Sequence, residues 1–121
     1  MPTMTDGVAA ARSLRDLTAQ EAAASEARRT LTQPLVDALW DSGLMTFMNA
    51  HEAGGAQPTF AEAIETWIEM AWQDGSFGWI GIANLPSAAV ASAYLPDVGF
   101  KEVFGDPDRR VTVAGQFFPN G

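Results

Sequence analysis

Hydrophobic positions are densest between Asp74 and Pro96, a stretch that carries no charged side chain after its first residue. Its length, roughly 20 residues, could span a bilayer. Glycine, asparagine, proline and serine dilute the apolar residues, however, and no Lys or Arg flanks the stretch closely. A helix that is apolar all round belongs in the interior of a larger protein. The pattern therefore predicts a buried central helix rather than a membrane span.

Three glycines in this stretch, Gly75, Gly78 and Gly81, lie three residues apart. Residues at this spacing share one face of a helix, and the absence of a side chain lets a neighbouring backbone come close. We expect this face to be a packing surface. Asp74 or Ser76 can cap the helix at its start.

The clearest amphipathic pattern precedes this stretch. Thr59 and Glu62 have the spacing of a capping box, in which each side chain accepts a hydrogen bond from a free amide of the first turn. Apolar residues then follow at helical spacing: Phe60, Ala63, Ile64, Trp67, Ile68 and Ala71. The pattern predicts that this face packs on the central helix. We expect the opposite face, with Glu62, Glu65 and Glu69, to be solvated.

Three further helices are predicted from start and stop signals. Thr18 and Glu21 form a second capping-box pattern, which predicts a helix from Thr18 to about Leu31 after a loose lead-in over residues 1–16. Pro34 opens another helix, which ends before Gly43 and has Leu35, Val36, Leu39 and Trp40 on its apolar face. The last helix starts at Pro96-Asp97 and runs through Phe104.

The pattern changes after the turn at Asp106-Pro107-Asp108. Val111 and Val113 alternate with polar residues over Arg110–Ala114, which predicts a β-strand. Because a lone strand leaves its backbone groups unpaired, it either pairs with another copy or begins a β region that continues beyond Gly121. Two aromatic residues and a turn signal over 117–121 favour the second alternative. The predicted fold is mainly α, a helical bundle with a buried central helix that ends in the first strand of a β domain.

Composition limits the partners. The 121 residues are 47% hydrophobic, which is typical of a folded domain, and 7 basic against 15 acidic side chains give a net charge of −8. This charge repels phosphate backbones and anionic lipids, so we expect neither nucleic acid nor a membrane as partner. The chain has no cysteine for a disulfide, a thiolate zinc site or a nucleophile. Residues 1–13 lack the basic-then-apolar pattern of a secretion signal, which favours a cytoplasmic location.

Candidate catalytic chemistry is sparse. His51, the single histidine, lies beside Glu52 and could act as a base with its orienting carboxylate, but a lone loop histidine is more often a surface or hydrogen-bonding residue. The segment around Ser76 lacks one of the glycines that a nucleophile elbow needs. Scattered carboxylates give no metal-ligand spacing, so no metal site is expected.

Three segments stand out by their order and spacing. They are residues 39–44, Leu-Trp-Asp-Ser-Gly-Leu; residues 52–55, Glu-Ala-Gly-Gly; and residues 71–79, Ala-Trp-Gln-Asp-Gly-Ser-Phe-Gly-Trp. Together they resemble the amino-terminal helical domain of the acyl-CoA dehydrogenase superfamily. The chain departs from the family pattern at Ala50, where proline is usual, and in a compact link between Tyr94 and Arg110. Residues 102–111 of this link resemble the reduced-flavin monooxygenases of the same fold.

The resemblance implies that residues 1–105 form the helical domain and that residues 106–121 begin the middle β domain. It implies a flavin-dependent oxidoreductase that acts on the CH-CH bond of an acyl-CoA, with FAD as cofactor, FMN as the alternative, and a homotetrameric full-length protein. The family's catalytic carboxylate lies in its last helical domain, so no catalytic residue is expected here. Candidate flavin contacts are Gln116, Phe117 and Phe118, and candidate substrate contacts are Trp79 and Asn84.

Two alternatives stay open. The first is a reduced-flavin monooxygenase acting on an aromatic substrate. That branch often has a histidine in the central helix, whereas Leu85, Pro86 and Ser87 occupy this region here, which favours the dehydrogenase. The second is a self-contained helical interaction module, which the unpaired strand disfavours.

Overall fold

The computed structural model describes residues 6–115 of the chain, which form seven α-helices and two short 3-10 turns. The α-helices are α1 (Gly7–Ser13), α2 (Arg15–Arg28), α3 (Gln33–Asp41), α4 (Phe60–Gln73), α5 (Gly75–Ala83), α6 (Leu85–Tyr94) and α7 (Asp97–Phe104). The 3-10 turns are Leu44–Thr46 and His51–Ala53, both between α3 and α4. The prediction of a mainly helical fold is confirmed. None of the helices in residues 6–115 has the length and hydropathy that a membrane crossing requires.

The amino-terminal region is more helical than predicted. Asp6 caps α1 by accepting a hydrogen bond from the amide of Ala9, and α2 follows after the single residue Leu14. The predicted helix start at Thr18 is wrong, because the amide of Thr18 already donates to the carbonyl of Leu14 inside α2. Thr18 is buried and its hydroxyl has no hydrogen-bond partner within residues 6–115. A capping-box pattern acts as a start signal only where the preceding chain is not helical.

The helix boundaries of α3 and α7 follow the predicted signals. Pro34 lies in the first turn of α3, and Gly43 has φ of 81°, the left-handed conformation that glycine adopts at a helix end. Leu35 and Leu39 of the predicted apolar face are buried in the core, together with Leu44, Met70, Phe77 and Leu85. The core thus lies between α3, α4, α5 and the start of α6.

Helix α4 begins with the predicted capping box. Thr59 accepts a hydrogen bond from the amide of Glu62, and the carboxylate of Glu62 accepts one from the amide of Thr59. Ala63, Thr66, Glu69 and Met70 are the buried residues of α4, and only Ala63 among them belongs to the predicted face. Trp67 and Ala71 of that face do lie against Gly81 and Gly78 of α5, as predicted. Phe60 and Ile68 of the predicted core face are exposed.

Glu69, predicted to be solvated, is buried, and this part of the prediction is wrong. Its carboxylate accepts two hydrogen bonds from Arg15, at 2.7 and 2.8 Å, and one from Gln73 at 3.0 Å. A carboxylate is stable at low exposure when a guanidinium pairs with it in this two-point geometry. Helix α1 also packs closely over this side of α4, since a Cβ added to Gly7 would lie 2.4 Å from the hydroxyl of Thr66.

The uncharged stretch forms two helices rather than one. α5 and α6 meet at Asn84, and Pro86 in the first turn of α6 has no amide to continue the hydrogen bonds of α5. Gly78 and Gly81 are buried, and a Cβ on Gly78 would lie 2.5 Å from the Cα of Ala71 in α4. The predicted close packing is therefore confirmed at these two glycines. A Cβ on Gly75 would meet no atom within 4 Å, so this glycine takes no part in it.

The strand predicted over Arg110–Ala114 does not form within the described residues. Residues 110–115 are neither helix nor strand, and residues 6–115 contain no second strand to which this segment could hydrogen-bond. The β domain beyond it, and the burial of α5 and α6 within a larger protein, stay predictions.

Candidate functional site

An apolar groove runs along the outer side of α5 and α6. It has a volume of about 680 Å³ and is bounded on one side by the segment that follows α7. Its lining residues are Trp79, Ile82, Ala83, Pro86, Ser87, Val90, Ala91, Val113 and Gly115. We take this groove as the candidate functional site, because ligand sites in proteins are mostly apolar concavities of this size with few polar groups.

Local interactions position the α5 side of the groove. Asp74 caps α5 by accepting a hydrogen bond from the amide of Phe77 at 3.0 Å. Gly78 and Gly81 face α4, where Trp67 and Met70 leave no room for a side chain on Gly81. Phe77, Gly78 and Gly81 of α5 are buried, whereas Trp79 and Ile82 lie on its outward side. Trp79 is accordingly 66% exposed.

Residues 109–115, which we term the strap, form the opposite side of the groove. Val113 is half-buried, and a Cβ on Gly115 would lie 2.9 Å from the Oγ of Ser87 in α6. Arg110 joins the strap to α3 by an ion pair of 2.5 Å with Asp37. The strap therefore lies against α6 at one end and against α3 at the other.

The groove has no charged or titratable side chain among its lining residues. Its one side-chain hydroxyl, on Ser87, donates to the carbonyl of Ala83 at 3.2 Å. An uncharged lining of this kind can cover the apolar surface of a ligand but supplies no general acid or base. Any proton transfer at this site would need groups from outside the lining.

The structure separates the residues that the sequence singles out. Trp79 lines the groove, whereas Asn84 lies at the junction of α5 and α6 and is not among the lining residues. Trp79 also borders a second groove of about 620 Å³, which contains Arg29 and Glu26. Gln116, Phe117 and Phe118 lie outside the described residues and directly follow Gly115 of the strap.

A comparison of the chain with protein-family models, curated proteins and solved structures finds no significant match. Inferences about function therefore rest on the residues and their arrangement.

His51 lies in the second 3-10 turn, away from the groove lining. It is exposed, and its Nδ1 is 3.1 Å from the carbonyl oxygen of Gly55. This placement agrees with the interpretation of His51 as a hydrogen-bonding loop residue. Over residues 6–115, no group of three or more His, Asp or Glu side chains could hold a metal ion.

Several groove residues were not predicted as site residues. Ile82, Pro86 and Val90 continue the helical spacing that starts at Trp79, and this spacing was the available signal. No sequence pattern predicts that Val113 and Gly115 line the groove. Their approach to α6 depends on contacts between residues that are far apart in the sequence.

Proposed function

We propose that the chain is the helical part of a flavin-dependent oxidoreductase of the acyl-CoA dehydrogenase type, which acts on the CH-CH bond of an acyl thioester. The observation that supports this most directly is the uncharged groove, whose lining includes Trp79 and whose strap leads straight to Gln116. In this proposal the groove supplies an apolar wall for the substrate or the flavin ring. The catalytic base comes from a part of the enzyme outside residues 6–115.

A further feature supports an enzyme with additional domains or subunits. Large apolar side chains on α4, α5 and α6 are exposed, namely Phe60, Ile68, Trp72, Trp79, Ile82, Val90 and Tyr94. Exposed apolar surface on this scale is typical of faces that another domain or subunit covers. The net charge of −8 offers no general attraction for flavin phosphates, so the phosphates would be held by donors in other domains.

A reduced-flavin monooxygenase acting on an aromatic substrate is the second candidate. It is favoured by residues 102–111, which resemble the link of that branch and form the end of α7, the turn and the start of the strap. Both candidates use a flavin and an apolar site, so substrate assays must distinguish them. Neither candidate is expected to function from this chain alone.

The test uses the complete reading frame that contains this chain. The purified protein should carry a yellow flavin chromophore and should oxidise an acyl-CoA with an electron acceptor. Oxygen-dependent hydroxylation of a phenol would instead support the monooxygenase. A complete protein that binds neither FAD nor FMN would refute both candidates.

A matched pair of variants tests the role of the groove. Trp79 and Trp72 are similarly exposed, at 66% and 72%, but only Trp79 lines the groove. Trp79→Ala in the complete enzyme should raise KM for the substrate or weaken flavin binding, while Trp72→Ala should leave both unchanged. Equal effects of the two substitutions would argue against the groove as the ligand site.

The isolated chain provides a further check. Since the described lining of the groove offers apolar contacts but no charged side chain for the phosphates, much of a bound flavin would stay in water. Titration of FAD and FMN, followed by flavin fluorescence, should show no binding at micromolar concentrations. Micromolar or tighter binding would mean that the chain alone is a flavoprotein.

A further inference from the structure

Arg110 makes three contacts with α3. Its Nη1 lies 2.5 Å from Oδ1 of Asp37, its Nη2 lies 3.7 Å from Oδ1 of Asp41, and its guanidinium carbon lies 5.8 Å from the ring centroid of Trp40. Arg110 and Asp37, which share a hydrogen bond, are 73 residues apart in the sequence. A single side chain thus joins the strap to one face of α3.

The negative charges of α3 favour a cation at this position. Asp37 and Asp41 lie four residues apart on one face, where like charges repel each other. Asp41 is also the last residue of the helix, where the helix dipole disfavours a negative charge, and the last turn has no basic residue. Arg110 supplies the missing positive charge. Consistently, its hydrogen bond is the main cause, followed by that of Gln33, of a lowered pKa for Asp37.

Arg109 acts in the same way on α7. Its Nη2 donates to the carbonyl of Val103 at 2.7 Å and also to the carbonyl of Glu102. Carbonyl groups in the last turn of a helix lack partners within the helix, and basic side chains satisfy them. Two consecutive arginines therefore attach to two different helices, Arg109 through carbonyl groups at the end of α7 and Arg110 through carboxylates on one face of α3. This fixes the course of the strap from α7 past α3 to α6.

We propose that the strap is a releasable wall of the groove, held closed by Arg110 on α3. The holding contacts are exposed, with 44% of the Arg110 side chain and 45% of the Asp37 side chain accessible to solvent. Ion pairs at this exposure are weak and sensitive to salt. Because Val113 and Gly115 complete the groove, release of Arg110 opens it along its length. The position of the strap would control access to the groove for any ligand that the groove binds.

Trypsin reports the open state directly. It must take the Arg110 side chain into its own specificity pocket, so cleavage after Arg110 requires release from Asp37. When opening and closing are fast relative to cleavage, the cleavage rate follows the open population. Cleavage after Arg28 at the end of α2 serves as the internal reference, because that site has no part in the strap.

Asp37→Asn combined with Asp41→Asn removes the anionic side of the contact and keeps the trypsin site. We expect cleavage after Arg110 to rise roughly two- to fivefold relative to cleavage after Arg28, the range for loss of exposed charge contacts. Salt at about 1 M should produce the same rise in the parent chain and little further rise in the variant. Glu65→Gln, which removes one exposed carboxylate from α4 and lies far in the sequence from both cleavage sites, is the matched control and should change nothing.

A cysteine pair locks the closed state. The chain has no native cysteine, and a Cβ on residue 115 would lie 3.9 Å from the Cβ of Ser87, which fits the Cβ separation of about 3.5–4.5 Å in disulfides. Ser87→Cys with Gly115→Cys should therefore oxidise readily. In the oxidised form, cleavage after Arg110 should be slow and insensitive to the two asparagine substitutions.

Two results would overturn the proposal. One is an equal cleavage rate after Arg110 in the parent and in the double asparagine variant. The other is failure of the cysteine pair to oxidise, which would place the strap away from α6. If the double variant loses helical circular dichroism, the single substitution Asp37→Asn replaces it. This variant removes the charge of the carboxylate that Arg110 hydrogen-bonds and leaves the trypsin site unchanged, so cleavage after Arg110 should still rise.

Discussion

The buried carboxylate of Glu69 gives the most quantitative prediction. Only 9% of its side chain is exposed, and it accepts two hydrogen bonds from Arg15 and one from Gln73. Arg12 lies 3.6 Å away. Glu69→Gln preserves the size of the side chain and removes its charge. The substitution therefore tests the ion pair that joins α2 to α4 rather than the packing around it.

The magnitude follows from the pKa of Glu69. The hydrogen bond from Arg15 is the main cause that lowers this pKa from 4.5 to about 2, against the opposing effect of burial. At about 1.4 kcal/mol per pKa unit, the ceiling is about 3.5 kcal/mol. Arg15 and Arg12 are 44% and 62% exposed, so solvent screens the pair. We expect Glu69→Gln to lower the free energy of unfolding by about 1–2 kcal/mol at pH 7.

The pH dependence has a definite sign. The folded-state pKa is lower than the unfolded-state value, so the contribution is complete above pH 4.5 and is lost as the pH falls toward about 2. Urea unfolding from pH 7 to pH 2 should show this loss in the parent and a flatter profile in Glu69→Gln. Glu65→Gln, an exposed carboxylate one turn earlier in α4, should behave like the parent. Equal free energies of unfolding for Glu69→Gln and the parent, with parallel losses between pH 7 and pH 2, would show that the ion pair does not stabilise the fold.

Three other substitutions test the packing and the site. Gly78→Ala should lower the free energy of unfolding in urea by about 3 kcal/mol, because the new methyl group would meet the backbone of Ala71. Gly75→Ala, where the methyl group would meet no atom within 4 Å, should raise it by about 0.5 kcal/mol. Equal effects of the two substitutions would contradict the packing of α5 on α4. Trp67→Ala should cost about 3 kcal/mol, since the half-buried ring packs beside Gly81, and a loss below about 1 kcal/mol would exclude a core role. His51→Gln in the complete enzyme should leave kcat and KM unchanged, and a large fall in turnover at unchanged stability would assign His51 a role in catalysis.

Predictions that rest on neighbouring residues agree best with the structure. The capping box at Thr59, the cap at Asp74, the helix end at Gly43 and the close approach at Gly78 each involve atoms within a few residues or a side chain that is absent. Such interactions can be recognised in a sequence because the spacing alone sets their geometry. They determine where helices start and end and where two helices can touch.

Predictions that depend on distant partners fared worse. The apolar pattern of α4 predicts its hydrophobic side. Glu69 is buried, however, because its carboxylate pairs with Arg15, which is 54 residues away in the sequence. The strand at 110–114 needed a partner that residues 6–115 do not contain. Among the residues that line the groove, the sequence singles out Trp79 alone as a site residue. Trp79 belongs to a helical pattern, whereas the strap reaches the groove through a contact between Arg110 and α3.

The orientation of α4 has a consequence for how substitutions in this helix are tolerated. Ala63, Thr66 and Met70 face the domain's own interior, while Ile68 and Trp72 face outward. Substitutions therefore act differently on the two sides of α4, since those on the inward side change the packing of the domain and those on the outward side change its exposed surface. Sequence drift on the outward side can alter this surface while the melting temperature stays nearly constant, so a screen based on thermal stability alone would pass over that half of the helix.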